Sequence, residues 1–153
     1  MSSVPVSPVA HVRGGRAAPE DDNWGAERAV ILLEETFPQD ALFGLGAFSH
    51  AEIVFQFHLA PDAKIETGAR RPRGNPDWPL VGIFAQCGKN RPNRIGVTVC
   101  RIVSVSGREI AVEGLDAIDG TPVLDIKPVM REFLPRGDIR QPDWSRELMK
   151  DYW

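Results

Sequence analysis

Two loops of the sequence are rich in basic side chains that could hold phosphate groups. Their cationic residues are Arg70, Arg71, Arg73, Lys89, Arg91 and Arg94. Trp78 follows the first group, and residues 86–94 around the second group contain no acid. A guanidinium group binds phosphate through forked hydrogen bonds, and an indole ring can stack on an unpaired base. The composition therefore leaves two interpretations open, a contact with single-stranded nucleic acid or two solvated charged loops.

A second set of polar residues could recognise a nucleoside. It consists of Asp116, Asp119, Gly120, Thr121, Pro122 and Asp125. A carboxylate in such a cluster can accept hydrogen bonds from ribose hydroxyls or from an amino group. Asp119-Gly120 also reads as a simple turn, and composition alone favours the turn over a nucleoside contact.

The histidines do not predict a metal site. His50 and His58 are eight residues apart, about 26 Å along a strand at about 3.3 Å per residue, and cannot share one ion. His50 and Glu52 provide only two ligands, which is too few for a zinc site. The GxG at 44–46 precedes a strand instead of joining a strand to a helix, so it does not indicate a dinucleotide loop.

The elements that must position these residues are mostly strands. Alternating or β-branched segments predict strands at 4–12, 28–33, 51–59, 80–85, 95–105, 108–115 and 121–126. In 51–59 the odd-numbered residues from Ala51 to Leu59 share one apolar face. In 95–105 the shared face comprises Ile95, Val97, Val99, Val103 and Val105, with Arg101 as the exception. Ser106-Gly107 predicts a hairpin turn, after which Ile110 and Val112 turn inward.

The remaining segments predict loops and short helices. Residues 13–23 and 60–79 are rich in Gly, Pro and charge and predict loops, and Pro38 can begin a short helix over 38–45. A helical pattern formed by Trp144, Leu148, Met149 and Tyr152 predicts a tail helix at about 142–152. We therefore expect one all-β domain over 1–153, an antiparallel barrel or sandwich. The tail helix is expected to cover an open sheet edge.

The totals limit the class of protein. A chain of 153 residues can bury one core without disulfides or metal, and Cys87 and Cys100 are expected to be free thiols. No apolar run approaches the ~18 residues that span a bilayer, and the first residues do not resemble a secretory signal. We therefore expect a cytoplasmic protein without a membrane partner. The net charge of −3 means that any RNA contact must come from a local basic patch.

Three segments resemble the signature of a known family. They are GIFA at 82–85, RPNRIGVT at 91–98 and GLDAIDGTPVLDIKP at 114–128. Together with LFGLGAFSHAEIVFQFH at 42–58, they are similar to the TsaA-like (TrmO) family over about residues 28–130. The resemblance implies a single-sheet antiparallel β-barrel, a homodimer and an S-adenosylmethionine-dependent methyltransferase without a Rossmann domain. It further implies that the acceptor is the modified nitrogen of threonylcarbamoyl-adenosine beside the tRNA anticodon.

The same resemblance assigns site residues. The cofactor would contact Ser49, His50, Val97, Asp116, Asp119, Gly120, Thr121, Pro122, Arg91 and Asn93. Independently of the resemblance, the two basic loops offer Arg70, Arg71, Arg73, Lys89 and Arg94 as candidate tRNA contacts, and no metal is expected. His50 is the candidate for a polar group near the acceptor, because histidine can act as a base at neutral pH. These assignments require that the Asp119-Gly120 turn and the 91–93 loop lie together at one rim of the barrel.

One departure from the family pattern opens two alternatives. The family usually has Arg-Ser-Pro where this chain has Cys87-Gly88-Lys89, so Lys89 or Arg91 would have to replace a cofactor-contacting arginine. The acidic charge and the altered loop favour a methyltransferase for a small molecule or another nucleotide. The loss of an essential arginine at Cys87 would instead favour a cofactor-binding module without catalysis.

Overall fold

The chain folds into a closed antiparallel barrel of six strands. The computed structural model describes residues 2–153, and Met1, the first residue of the predicted domain 1–153, lies outside the described residues. The strands are β1 Ala10–Arg13, β2 Arg28–Leu33, β3 His50–Gln56, β4 Ala69–Arg70, β5 Val81–Gly82, β6 Ile95–Ser106, β7 Glu109–Glu113 and β8 Pro122–Pro128. The order around the barrel is β1-β2-β7-β6-β3-β8, and β4 and β5 form a separate ladder. This confirms the predicted all-β single-sheet barrel.

Period-two alternation builds the core as predicted for β2, β3 and β7. Ala51, Ile53 and Phe55 of β3 are at most 1% exposed, and Ile110 and Val112 of β7 are equally buried. β2 has the predicted bounds. β3 ends at Gln56, earlier than predicted, so Leu59 is 57% exposed instead of continuing the buried face.

β6 has its large apolar residues on the outside. Its barrel face carries Gly96, Thr98 and Cys100, while Ile95, Val97, Val99 and Val103 are 39–56% exposed. A Cβ at Gly96 would lie 2.7 Å from a ring carbon of Phe55, so the interior has room only for small residues there. A bulge between Ile102 and Ser104 reverses the alternation and turns Val105 towards the core. The prediction that Val105 shares the face of Val97 was therefore wrong.

Three other predicted elements differ from the structure. The strand at 4–12 begins only at Ala10. The strand at 80–85 was wrong, because only Val81–Gly82 pairs with β4 and Ile83–Ala85 forms a 3-10 turn. The 60–79 loop contains β4 and two 3-10 helices, Asp62–Lys64 and Pro72–Gly74. The β4–β5 ladder depends on contacts between 68–70 and 81–83, which no local pattern reveals.

The other helices are short. The predicted helix at 38–45 is two 3-10 segments, Gln39–Leu42 and Leu45–Ala47. Further 3-10 turns occur at Pro92–Arg94 and Arg131–Phe133, and the tail helix α1 spans Asp143–Met149. Within residues 2–153, no helix is both long enough and apolar enough to cross a membrane.

The C-terminal tail packs on loops and not on a sheet edge, because the closed barrel has no open edge there. The Trp78 indole N–H donates to Glu147 of α1 at 2.8 Å. The backbone N–H groups of Asn23, Trp24 and Gly25 donate to the carbonyl oxygens of the last three residues, Asp151, Tyr152 and Trp153. The tail helix was predicted correctly, but the prediction that it covers an open sheet edge was wrong.

Candidate functional site

The barrel end at which β3 ends and β8 begins, here called the turn rim, carries the Asp119-Gly120 turn. Gly120 has φ of +82°, a conformation that suits glycine. Its N–H donates to the Val12 carbonyl at 2.7 Å, and the Gly14 N–H donates to Asp119 Oδ1 at 2.8 Å. The buried Thr121 hydroxyl donates to the Ile118 carbonyl at 2.7 Å. The turn is therefore fixed on β1 while the Asp119 side chain stays exposed.

The 91–94 loop reaches the same rim. The Arg94 carbonyl accepts the Phe57 N–H at 2.7 Å, and the next residue, His58, has its Nε2 3.8 Å from where a Gly120 Cβ would lie. Asn93 and Arg94 both have positive φ, at 63° and 51°. Positive φ in residues other than glycine stores strain and is concentrated at functional sites. Residues 57–58 thus lie between the two segments that the sequence predicts to come together.

Asp116 lies below this rim and is occupied by contacts within the chain. Thr98 Oγ1 donates to its Oδ1 at 2.5 Å, and the Tyr152 hydroxyl donates to its Oδ2. Burial and then the charge of Asp116 raise the pKa of Tyr152, so its hydroxyl remains a donor. Burial and Asp116 also raise the pKa of Cys100 from 9.0 to about 12. Asp116 therefore connects β6 and the tail to the 114–121 segment, with one hydrogen bond from within the chain at each of its carboxylate oxygens.

Ser49 and His50 lie at the opposite end of β3. The Ser49 Oγ and His50 Nδ1 are 2.7 Å apart, and His50 lies opposite Arg101 of the neighbouring strand β6. Gln56, at the turn-rim end of β3, is six residues from His50, which corresponds to about 20 Å along the strand. Val97 lies between the two ends, on the outer face, paired with Val54. One protomer therefore does not bring Ser49 and His50 next to the Asp119 turn.

The predicted RNA-binding cations differ in how free their charges are. Arg73 donates to Asp22 at 3.0 Å, and Arg94 donates to Asp62 and to the Ala60 carbonyl. Arg71 donates to the Trp78 carbonyl. An internal carboxylate partner reduces the charge that Arg73 and Arg94 can offer a phosphate. Of the remaining positions, Lys89 belongs to the altered 87–89 segment and Arg70 lies against it at Gly88.

Three residues that the sequence analysis did not assign to the site lie in this region. His58 lies against Gly120, as described above. Gln86 is 8% exposed, and its side-chain amide donates to the carbonyls of Arg70 and Val81, both at 3.0 Å. Asn90 has a buried Oδ1 without a hydrogen-bond partner among the described residues, as does Arg70 at Nε. The burial of this glutamine is a feature that only coordinates disclose.

Other surface features do not coincide with the predicted site. A depression of 290 Å³ between Gln39 and Gly107 and another of 500 Å³ at 132–136 contain none of the predicted site residues. Over residues 2–153, no three His, Cys, Asp or Glu side chains are grouped so that they could hold a metal ion. The turn rim remains the region where two of the predicted segments, the Asp119-Gly120 turn and the 91–94 loop, come together.

Comparisons with known proteins identify relatives. Residues 13–133 match the family model of the tRNA-methyltransferase O N-terminal domain. The human tRNA (adenine(37)-N6)-methyltransferase is 37% identical over 105 residues, which are 69% of this chain and 23% of that protein. A Rhizobium radiobacter protein, VirR, described as a probable S-adenosyl-L-methionine-binding protein, is 37% identical over 66% of this chain and 55% of its own length.

The fold is also shared with a solved structure. The crystal structure of TrmO from Pseudomonas aeruginosa superposes with a TM-score of 0.74 and 30% identity, covering 91% of this chain and 61% of that one. The chain thus spans only part of each of these proteins, from about a quarter to about three fifths of their length. The segments at the turn rim, 91–98 and 114–122, fall within the matched range 13–133.

Proposed function

The chain belongs to the tRNA-methyltransferase O N-terminal domain family, and on that premise we propose that it transfers a methyl group from S-adenosylmethionine to N6 of adenine 37 in tRNA. The observation that carries the proposal is the convergence of the Asp119-Gly120 turn and the 91–94 loop on residues 57–58. The acceptor we propose is the modified nitrogen of threonylcarbamoyl-adenosine, as the family resemblance implies. This substrate agrees with the cytoplasmic location expected from the sequence.

The proposed roles follow from the geometry of the rim. S-adenosylmethionine, when bound, supplies an electrophilic methyl group. Asp119 is anchored through Oδ1, and its exposed carboxylate can accept hydrogen bonds from ribose hydroxyls or from the adenine amino group. The 91–94 backbone and Pro122 would shape the adjoining wall. Catalysis would come mainly from holding the two reactants in line, which can lower a barrier by about 7–11 kcal/mol.

We further propose that two copies of the chain form a homodimer. The support is the exposed apolar stripe on the outer face of β6, formed by Ile95, Val97, Val99 and Val103, because stripes of this kind mark interaction surfaces. A second copy could also supply Ser49 and His50, which lie about 20 Å from the turn rim of their own protomer. In this arrangement His50 would act on an acceptor held by the other chain.

The dimer is tested by sedimentation equilibrium. We expect a mass of two chains for the parent protein and of one chain for Val99→Lys, which places a charge in the stripe without touching the core. A matched control is Lys64→Glu, an exposed change outside the stripe, which should leave the mass at two chains. A single-chain mass for the unaltered protein would eliminate the dimer.

The methyltransferase is tested with S-adenosylmethionine and purified tRNA. Two substrates of the same sequence, one carrying threonylcarbamoyl-adenosine and one carrying plain adenosine at position 37, are digested after reaction and analysed by mass spectrometry. We expect a 14-Da increase on the modified nucleoside only. Methylation of the plain adenosine would overturn the finer assignment of the acceptor, and no transfer to either tRNA would overturn the tRNA activity.

A second candidate function is supported by the charge distribution. Arg73 and Arg94 are paired with carboxylates, and the net charge is −3, which favours a smaller acceptor or a cofactor-binding module without catalysis. Binding to tRNA through phosphates must weaken steeply as salt rises. tRNA affinity that does not change between 50 and 200 mM salt, as read by filter binding, would favour this second candidate.

A further inference from the structure

Two buried polar atoms beside the altered 87–89 loop lack partners, and they are complementary. Arg70 Nε is a donor and Asn90 Oδ1 is an acceptor, and neither makes a hydrogen bond within the described chain. Buried polar groups are nearly always paired in folded proteins, and an unpaired one raises the free energy of the folded state. A donor and an acceptor left unpaired in one region indicate a ligand that presents an acceptor and a donor.

The position of Arg70 is fixed by its surroundings. Its backbone pairs with Val81 in the β4–β5 ladder, and its carbonyl accepts the Gln86 side-chain amide at 3.0 Å. Its Nη2 lies 3.0 Å from where a Cβ of Gly88 would be. Any larger residue at position 88 would have to displace the guanidinium group. Gly88 therefore provides the space that Arg70 occupies over this loop.

Asn90 lies two residues beyond Gly88 on the same loop. The Asn90 carbonyl accepts the Glu66 N–H at 3.0 Å, which joins the loop to the segment that precedes β4. The Arg91 guanidinium donates to the Gln86 carbonyl and closes the loop from its other end. The chain between Gln86 and Arg91 thus contacts both the carbonyl and the guanidinium of Arg70, and it carries Asn90 two residues from Gly88.

We propose that Arg70 and Asn90 bind the α-amino-acid end of S-adenosylmethionine. Arg70 Nε donates to the α-carboxylate, and Asn90 Oδ1 accepts from the α-ammonium group. A phosphate would satisfy the arginine, but its oxygens would repel the amide oxygen, whereas an amino acid carries both signs of charge on one carbon. The inference rests on the proposed function because it takes the bound cofactor to be S-adenosylmethionine. It assigns Arg70 to the cofactor and not to RNA.

The test is isothermal titration calorimetry with three nucleosides. S-adenosylhomocysteine has the complete amino-acid end, decarboxylated S-adenosylmethionine lacks the carboxylate, and 5′-methylthioadenosine lacks the whole end. We expect Arg70→Met to weaken S-adenosylhomocysteine binding by about 10- to 100-fold, the range for a hydrogen bond between charged groups. The same substitution should leave the affinities for the other two nucleosides within about twofold.

Two further variants test the geometry. Gly88→Ala keeps the charge of Arg70 but moves its guanidinium, and it should lower S-adenosylhomocysteine affinity in the same selective way. Asn90→Leu should weaken both ligands that retain the ammonium, by about tenfold, without affecting 5′-methylthioadenosine. Lys64→Met, which removes an exposed positive charge from a nearby turn, serves as the matched control and should change none of the three affinities.

The outcomes separate this inference from the proposed function. If no adenosyl ligand binds the unaltered protein, both fail. If S-adenosylhomocysteine binds but Arg70→Met weakens all three ligands equally or none of them, the amino-acid contact is wrong while the cofactor assignment stands. If Arg70→Met instead lowers tRNA affinity and the slope of its salt dependence, Arg70 contacts phosphate and the inference is overturned. Tight binding of free L-methionine would indicate an amino-acid site independent of the cofactor.

Discussion

Replacing Tyr152 with phenylalanine tests how the C-terminal tail is held. The Tyr152 hydroxyl donates to Asp116 Oδ2, and the ring packs edge-on against Trp153 at 4.9 Å between centroids. Tyr152→Phe removes the hydrogen bond and retains the ring. A hydrogen bond to a charged group stabilises a protein by about 1.5–3 kcal/mol. Because Tyr152 is only half-buried, we expect a loss near the lower end, about 1.5 kcal/mol.

Urea unfolding followed by circular dichroism measures this loss. We expect a lower midpoint with an unchanged slope, and a melting temperature lower by about 3–6 °C for a chain of this size. Amide hydrogen exchange provides a local measurement. The N–H groups of Asn23, Trp24 and Gly25, which donate to the tail carbonyls, should exchange faster in Tyr152→Phe than in the parent.

A double-mutant cycle identifies the partner. In an Asp116→Ala background the hydroxyl has lost its acceptor, so Tyr152→Phe should cost almost nothing further. If the two losses simply add, the hydroxyl stabilises the chain through some other contact and the reasoning is refuted. Equal stability of Tyr152→Phe and the parent would refute it as well.

Four further predictions follow from groups with defined surroundings. Folding raises the pKa of the Cys100 thiol from 9.0 to about 12. The free energy of unfolding should therefore fall as pH rises above 9, and it should fall less steeply in Cys100→Ala. Iodoacetamide at pH 8 should modify the exposed Cys87 and spare Cys100 until urea is added, as mass spectrometry would show. Hydrogen bonds from Arg28 and Arg101 lower the pKa of Glu113 below its usual 4.5. The Glu113 carboxylate therefore stabilises the folded chain above pH 4.5, and this contribution is lost as pH falls below that value. Glu113→Gln should flatten the acid limb of a curve of unfolding free energy against pH. Gly96→Ala places a methyl group 2.7 Å from an aromatic carbon and should cost about 1–3 kcal/mol in urea unfolding, whereas an unchanged midpoint would contradict the tight interior.

The strands were predictable wherever the alternation of apolar residues coincides with burial. β2 and the buried face of β3 follow directly from their residues, because each inward position is apolar and each strand has neighbours on both sides. β6 shows the limit of this reasoning. Alternation reveals a period of two but not which face is inside, and the narrow six-stranded interior selects the small Gly96 and Cys100 over the larger valines.

The site was predictable in part. Family-like segments indicated the Asp119-Gly120 turn and the 91–93 loop, and the structure places both on one rim. The sequence offered Lys89 or Arg91 in place of a missing arginine, but Arg91 is bound to the Gln86 carbonyl. The unpaired Nε of Arg70 depends on a ladder of two residue pairs and on the absence of a side chain at Gly88. Such a through-space arrangement has no local sequence signal.

The closure of the barrel between β1 and β8 has a consequence for how the molecule is made. Ala10 pairs with Val123 and His11 with Pro122, partners more than a hundred positions apart along the chain. Contacts that close so long a loop are slow to form, whereas the adjacent β6 and β7 can pair early. The late-closing seam is also the one that anchors Gly120 to Val12. A newly synthesised chain would therefore acquire the Asp119-Gly120 turn, the proposed nucleoside contact, only in the last step of folding, so that partly folded molecules lack this turn.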